Sequence, residues 1–284
     1  MFIDRLHTLY RPMECRPDSY HDWYRQANVL WEQERYEEAL YSYDRALNYY
    51  PQDYWAWYRR GKVLECLGYF RDAVESYQQA ADLRPHDYWA WYSQGWIYLE
   101  ELKEYENAIA LFDRALEVEP EDYWALYRKG EALRLLERYS EAIAGYDRIL
   151  ELRPHDFWTW YRKGDCYRHL GELNLALECY DRALETKNED HWAWYQRGTI
   201  LQQQERFSDA IAAYNQAVEF APEADFAWYN LARCSALLGD REKALASLLE
   251  AIVLYPEKYQ LEALSNSDFD NLRQDEQFNS LLEN

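Results

Sequence analysis

One block of sequence returns at nearly constant spacing, and nothing else in the chain restricts the fold as much. "WYRRG" (57–61) reappears as "WYSQG" (91–95), "LYRKG" (126–130), "WYRKG" (160–164) and "WYQRG" (194–198), flanked by degenerate copies ending at Ala27 and Ala232. The small closing residues, Ala27, Gly61, Gly95, Gly130, Gly164, Gly198 and Ala232, follow one another at 34, 34, 35, 34, 34 and 34 residues. A period in this range marks stacked supersecondary units, each contacting its neighbours, instead of one core assembled from distant segments.

Further positions recur inside each unit. About twelve residues after the first small residue comes a second: Ala39, Ala73, Ala108, Ala142, Ala176, Ala210 and Ala244. Four later stands a large one (Tyr43, Tyr77, Phe112, Tyr146, Tyr180, Tyr214, Leu248), then Ala46, Ala80, Ala115, Ile149, Ala183, Ala217 and Ala251. Small and large residues at steps of three and four give two close-packed helices per unit. Pro51, Pro85, Pro120, Pro154, Pro222 and Pro256 stop the second helix, because the residue before proline is steered out of the helical region. Asp53, Asp87, Asp122, Asp156 and Asp190 then stand where a side-chain oxygen caps the next helix. Leu-Gly pairs ending at Gly68, Gly171 and Gly239 suit the turn between the two helices. The single longer step falls in that same turn, around "ELKEYE".

This pattern resembles the tetratricopeptide repeat (TPR) family, whose unit is a 34-residue helix-turn-helix. The resemblance implies an all-α, right-handed α-solenoid of seven units, at about 20–53, 54–87, 88–122, 123–156, 157–190, 191–224 and 225–257. Residues 1–19 are then an N-terminal extension or cap, with Phe2, Ile3, Leu6, Leu9 and Tyr10 at helical spacing. Residues 258–284 are expected as C-terminal capping helices, with Leu261, Leu264, Phe269, Leu272, Phe278 and Leu281 sealing the last unit. Departures from the family pattern are local: Leu126 for Trp, Asn188 for the closing Pro, and Ser235 at a usually large position.

"DYWAWYRRG" (53–61) holds two tryptophans with different duties. At about 100° per residue, Trp57, Gly61 and Leu64 fall within about 40° of one line, the core stripe. Trp55 lies about 200° away and faces outward. Its equivalents are Trp89, Trp124, Trp158 and Trp192, with His21 and Phe226 at the ends. In the TPR family that side of the first helix lines the concave surface where extended peptides bind. The resemblance therefore implies a groove of Trp55, Trp89, Trp124, Trp158 and Trp192, bordered by Tyr58, Tyr92, Tyr127, Tyr161 and Tyr195. Arg59, Arg128 and Arg162, after the recurring tyrosine, share that side with Arg25, and Arg134 and Arg168 lie further along the same helices. A plainer reading keeps the tryptophans as rings stacked for rigidity, and pairs the arginines with Asp44, Asp113, Asp147, Asp181 and other acids.

The chaperone-adaptor TPR domains hold a terminal carboxylate with Lys, Asn, Asn, Lys and Arg. Here the matching positions carry mainly Tyr, Lys62, Glu131 and Asp165, so that clamp is not reproduced.

Charge removes other classes. With 31 basic against 52 acidic residues the net charge is −21, which repels phosphate backbones and anionic lipid. No nucleic acid is expected as partner, and no membrane insertion, since no stretch approaches about 18 apolar residues. The first 19 residues lack a signal peptide's apolar core, which suits a cytoplasmic protein. Five cysteines without a C-x-x-C pair suggest neither disulfides nor zinc, and read as reduced, mostly packed thiols. His86 and His155 are two units apart and cannot share an ion, and no phosphate loop, nucleophile elbow or zincin motif appears. The sequence therefore points to a non-enzymatic interaction scaffold without cofactor. Its expected ligand is a protein or peptide, proline-rich or basic; self-association is compatible with the pattern. An assembly factor for a larger complex, or a glycan or small-ligand binder using the tryptophan faces, is the alternative.

Overall fold

The structure, a computed structural model, describes residues 19–283. The expected N-terminal stretch, residues 1–18, lies outside them. The described residues form sixteen α-helices and one 3-10 helix, with no strand.

The chain divides into two compact units, Met1–Leu136 and Glu137–Asn284. The first contains α1 (Tyr20–Glu32), α2 (Tyr36–Tyr49), α3 (Tyr54–Cys66), α4 (Phe70–Leu83), α5 (Tyr88–Glu100), α6 (Tyr105–Val118) and α7 (Tyr123–Leu135). The second contains α8 (Tyr139–Leu152), α9 (Phe157–His169), α10 (Leu173–Thr186), α11 (His191–Gln203), α12 (Phe207–Phe220), α13 (Asp225–Leu237) and α14 (Arg241–Leu254). It closes with α15 (Pro256–Ser265), the 3-10 helix (Ser267–Leu272) and α16 (Glu276–Glu283).

Local chemistry sets the helix ends. The Asp53 carboxylate accepts the Ala56 N–H at 2.6 Å, and Asp122, Asp156 and Asp190 accept the N–H three residues on in the same way. Asp87 caps α5 through the Trp89 N–H. The second helices stop at Tyr49, Leu83, Val118, Leu152, Phe220 and Leu254, two residues before proline, and α10 stops at Thr186, two residues before Asn188. Proline is therefore not required for the stop. The turn between paired helices needs one left-handed residue, supplied by Gly68, Gly171 and Gly239. The same turn places Glu34, Lys103, Glu137 and Glu205 at φ between 57° and 60°, where a β-carbon is strained.

One large side chain of each second helix, aromatic in all but the last, is fully enclosed. Tyr43, Tyr77, Phe112, Tyr146, Tyr180, Tyr214 and Leu248 are all fully buried. Beneath Tyr77 the first helix lies so close that a β-carbon on Gly61 would stand 2.6 Å from Tyr77 Cε1, whereas beneath Tyr43 the position is held by Ala27. Four of the buried hydroxyls donate to an acceptor on the first helix of their own pair, Tyr43 at Asn28 (2.7 Å), Tyr77 at Glu65 (2.5 Å), Tyr180 at Asp165 (2.8 Å) and Tyr214 at Gln202 (2.8 Å).

Several expectations need correction. Trp57 is half-buried, not part of the deep core, because its indole N–H turns to donate to the Pro51 carbonyl at 2.8 Å. Trp91, Trp160, Trp194 and Trp228 bind the carbonyl six residues back in the same way, and Trp194 does so at Asn188. A backbone carbonyl is indifferent to loss of the proline ring. In the C-terminal segment Phe269, Leu272 and Phe278 are buried, but Leu261 and Leu264 are exposed, since α15 turns Tyr259 and Ala263 inward instead. Among the described residues the thiols are mostly packed, as expected: Cys166, Cys179 and Cys234 are buried and Cys66, at the end of α3, is exposed. The four aspartates named as partners for the groove arginines bind the cation one residue further along the first helix instead, Asp44 with Arg60, Asp113 with Lys129, Asp147 with Lys163 and Asp181 with Arg197, while Arg128, Arg134 and Arg162 pair with other acids, as the plainer reading also allowed.

Candidate functional site

The triplet Asp-aromatic-Trp opens five first helices, and its three residues point in three directions. The aspartate caps its own helix. The aromatic residue after it reaches the cap of the next first helix: the Tyr54 hydroxyl donates to Asp87 at 2.6 Å and Tyr88 to Asp122 at 2.5 Å. These bonds, with Tyr58 Oη 3.4 Å from Ser93 Oγ, hold α3, α5 and α7 side by side in the first unit. Burial, and then the aspartate hydrogen bond, raise the Tyr54 and Tyr88 phenols above the ordinary tyrosine range. In the second unit Phe157 has no hydroxyl; there Lys187 binds Asp190 at 2.9 Å and stands 5.1 Å from the Phe157 ring.

The third residue of the triplet faces water. Trp55, Trp89 and Trp124 of the first unit are 45%, 55% and 55% exposed, and Trp158 and Trp192 of the second are 51% and 46% exposed. Their contacts are local. Trp55 meets Tyr54 edge-on at 4.9 Å and Tyr58 at 6.1 Å; Trp89 meets Tyr88 at 5.2 Å and Tyr92 at 6.4 Å. Trp124 meets Tyr123 at 5.0 Å, and Trp158 meets Phe157 at 5.0 Å. Within the first unit no tryptophan of the set stacks on another. Trp192 alone has a parallel partner, Phe226 at 4.6 Å.

The neighbouring tyrosines link this face to the core. Tyr58 packs on Tyr77 at 5.3 Å, Tyr92 on Phe112 at 5.7 Å, Tyr161 on Tyr180 at 5.6 Å and Tyr195 on Tyr214 at 5.8 Å. Tyr127 stacks on Tyr123 at 5.9 Å. Four of these rings are half-buried, but Tyr161 is 8% exposed, and its phenol is pushed up to about 12 by burial and then by Asp165. As a set they offer an edge, not a face.

The arginines divide. Arg25 and Arg59 are exposed, and the Arg59 charge acts to lower the Tyr43 phenol against the burial that raises it. Arg128 binds Glu100 at 2.5 Å, Arg162 binds Asp165 at 3.3 Å, Arg134 binds Glu131 at 3.1 Å, and Arg168 lies 3.1 Å from His169. Lys62 binds Glu65 at 3.1 Å. The positions that matched the chaperone clamp are therefore engaged in contacts of their own. Among the described residues no group of three His, Cys, Asp or Glu side chains is placed to hold a metal.

Sequence reasoning missed two features. One is the tyrosine-to-aspartate bond between successive first helices, whose signal was the Tyr of "DYW" at 34-residue intervals. The other is a cation over the aromatic pair. Arg84 stands 4.6 Å from the Tyr54 ring and 5.9 Å from Trp55; Lys187 stands 5.1 Å from Phe157 and 5.8 Å from Trp158. Both are the last residue before the closing Pro or Asn.

Known proteins share this architecture. Sequence models of the tetratricopeptide repeat match residues 155–223 and, with a second model, residues 67–117, 101–157 and 195–258; one of the TPR repeat matches 27–68. No curated protein sequence matches the chain. The crystal structure of YrrB, described as a TPR protein with an unusual peptide-binding site, is 26% identical, with a TM-score of 0.58, over 68% of this chain and 100% of that one. The C-terminal part of a TPR repeat-containing protein from Cytophaga hutchinsonii gives a TM-score of 0.72 at 16% identity, over 88% of this chain and 100% of that one. A tetratricopeptide repeat protein from Parabacteroides merdae gives 0.61 at 17% identity, over 94% and 98%. Because one repeat model alone covers more than half of the chain, and the helix pairs, their caps and their glycine-ring contacts follow the same period, the chain belongs to the tetratricopeptide repeat family.

Proposed function

We propose that this chain is a non-enzymatic scaffold that holds an extended segment of a partner protein against its outward tryptophans. The observation that carries the reading is the exposure of Trp55, Trp89, Trp124, Trp158 and Trp192, each about half open, while the rings of the second helices are fully buried. Exposed aromatic rows are an aggregation liability unless something covers them. Indole faces give large contact area at little entropic cost, and aromatic-lined surfaces suit polyproline-II segments, which are already ordered. Tyr58, Tyr92, Tyr127 and Tyr195 supply hydroxyl edges beside the rings, and Arg59 a cation; Tyr161 supports from beneath. Arg128, Arg162, Arg134 and Arg168 fix the charge of the rim. The peptide-binding site named for YrrB supports the same use of the fold here.

The net charge of −21 favours a partner with basic segments and speeds its approach. No helix among the described residues is long and apolar enough to cross a membrane.

The test is affinity purification from the native cell with the intact chain and with Trp89→Ala, Trp124→Ala and Trp158→Ala combined. Surface substitutions of this kind change stability by about 0.5 kcal/mol each, so the variant should melt close to the parent and lose its partner. A folded variant that retains every partner would sink the reading. Titration of tryptophan fluorescence with proline-rich peptides and with oligosaccharides separates the peptide reading from a glycan binder.

A further inference from the structure

The aromatic pair at the head of α5 lacks the cation that covers the pairs of α3 and α9. In α3 the pair is Tyr54 and Trp55, and Arg84 covers it. In α9 the pair is Phe157 and Trp158, and Lys187 covers it. In α5 the pair is Tyr88 and Trp89, and the residue before the closing proline is Glu119. The backbone there is the same: φ and ψ are −138° and 78° at Arg84, −144° and 89° at Lys187, and −125° and 87° at Glu119. The side chain therefore leaves in the same direction but with the opposite charge. Its effect on the neighbouring phenol is reversed as well: Arg84 acts to lower Tyr54, whereas Glu119 acts to raise Tyr88.

We infer that Tyr88, Trp89, Glu119 and Asp122 form a seat for a lysine or arginine side chain of the bound partner. The partner would supply the cation that Arg84 and Lys187 supply elsewhere from within the chain. Trp89 presents a half-open indole face, and a cation over such a face is attracted by the ring quadrupole. Glu119 is exposed, and the Asp122 carboxylate accepts only the Tyr88 hydroxyl and the Ala125 N–H. Both carboxylates are thus placed to hold the charged head. Arg128, beside Tyr92, is bound to Glu100 at 2.5 Å, and no cation stands over the Tyr88 or Trp89 ring among the described residues. A neutral or acidic ligand side chain would leave Glu119 uncompensated, so the seat selects for charge as well as shape. This inference rests on the peptide-binding reading and deepens it: it gives the bound segment a basic residue at the α5 position and none at the α3 position, where Arg84 already stands.

The experiment needs no identified partner. The full chain is labelled with 5-fluorotryptophan, and the fluorine resonances of Trp55 and Trp89 are assigned from Trp55→Phe and Trp89→Phe. N-acetyl lysine amide and N-acetyl arginine amide are titrated in, with the norleucine amide as the uncharged control. The expected result is a Trp89 shift at about fivefold lower lysine or arginine concentration than any Trp55 shift, and none with norleucine. Glu119→Arg, which restores the arrangement of α3 at an exposed position, should abolish the selectivity. Equal responses at Trp55 and Trp89, or a Trp89 response that survives Glu119→Arg, would overturn the inference. If selectivity is absent while the triple tryptophan variant still loses its partner, the seat is wrong and the peptide surface stands. If the variant keeps all partners, the surface itself is wrong whatever lysine does.

Discussion

At Gly61 and Gly198 the small residue of the first-helix stripe is held to glycine by a ring on the other helix. At Gly198 an added β-carbon would meet Tyr214 Cε1 at 2.6 Å, while at Gly145, inside α8, it would meet nothing within 4 Å. The two positions should respond with opposite sign to one substitution. Gly198→Ala should destabilise by about 1–3 kcal/mol through overpacking. Gly145→Ala should stabilise by about 0.5–1 kcal/mol, because alanine loses less backbone entropy in a helix. Urea unfolding of both variants decides it; equal effects would show that the ring contact does not select glycine.

At this scale the outward direction of Trp55 was legible, because 100° per residue separates it from Gly61 without any knowledge of packing. The indole hydrogen bond of Trp57 was not, since its acceptor is a backbone carbonyl that leaves no mark on residue identity. Nor were the strained turn residues Glu34, Lys103, Glu137 and Glu205: only the glycine copies of that turn carry a signal in the sequence.

Among the helices, the caps carry more than capping. The Asp87 carboxylate holds the head of α5 and also accepts the Tyr54 hydroxyl from α3. Asp240 caps α14 through the Lys243 N–H alone. Asp87→Ala should therefore cost about 2–3 kcal/mol, one cap plus a stranded phenol, against about 1 kcal/mol for Asp240→Ala. Tyr54→Phe should cost about 1 kcal/mol, and in the Asp87→Ala background almost nothing. A double-mutant cycle by thermal melting measures the coupling; additive effects would dissolve the proposed link between α3 and α5. Helix existence and order were readable from the 34-residue period because each unit repeats its small, large and capping residues. The coupling between units was not, since it depends on a tyrosine whose partner is a full period away and already has an evident local duty. The exposed Leu261 and Leu264 show the same limit, because the last helices leave the period and their inward face could not be set by analogy.

Across the whole molecule, buried phenols tie stability to pH. Tyr77, Tyr180 and Tyr214 are raised well above the ordinary range, first by burial and then by nearby acidic or polar groups. A group raised in the folded chain leaves stability intact below its unfolded value, about 10 for tyrosine. Above that, the unfolded chain releases protons the folded chain retains, so stability falls as pH rises. Helix content and tyrosinate absorbance should therefore change together above about pH 10; tyrosinate appearing in full while the helices persist would refute it. At acid pH the sign is set by groups such as Asp225. Burial alone would raise it, but the Tyr259 hydroxyl and Lys258 together hold it below the usual carboxylate range. Its contribution is present above about pH 4 and is lost below.

The most direct test of the tryptophan face is hydroxyl-radical footprinting of the purified complex beside the free chain, read by mass spectrometry at each indole. If the face holds the partner, Trp55, Trp89, Trp124, Trp158 and Trp192 should lose reactivity on binding, while Trp57, Trp91, Trp160, Trp194 and Trp228 stay as they are in the free chain. A bound partner that leaves the first five as reactive as before, with protection elsewhere, would contradict it.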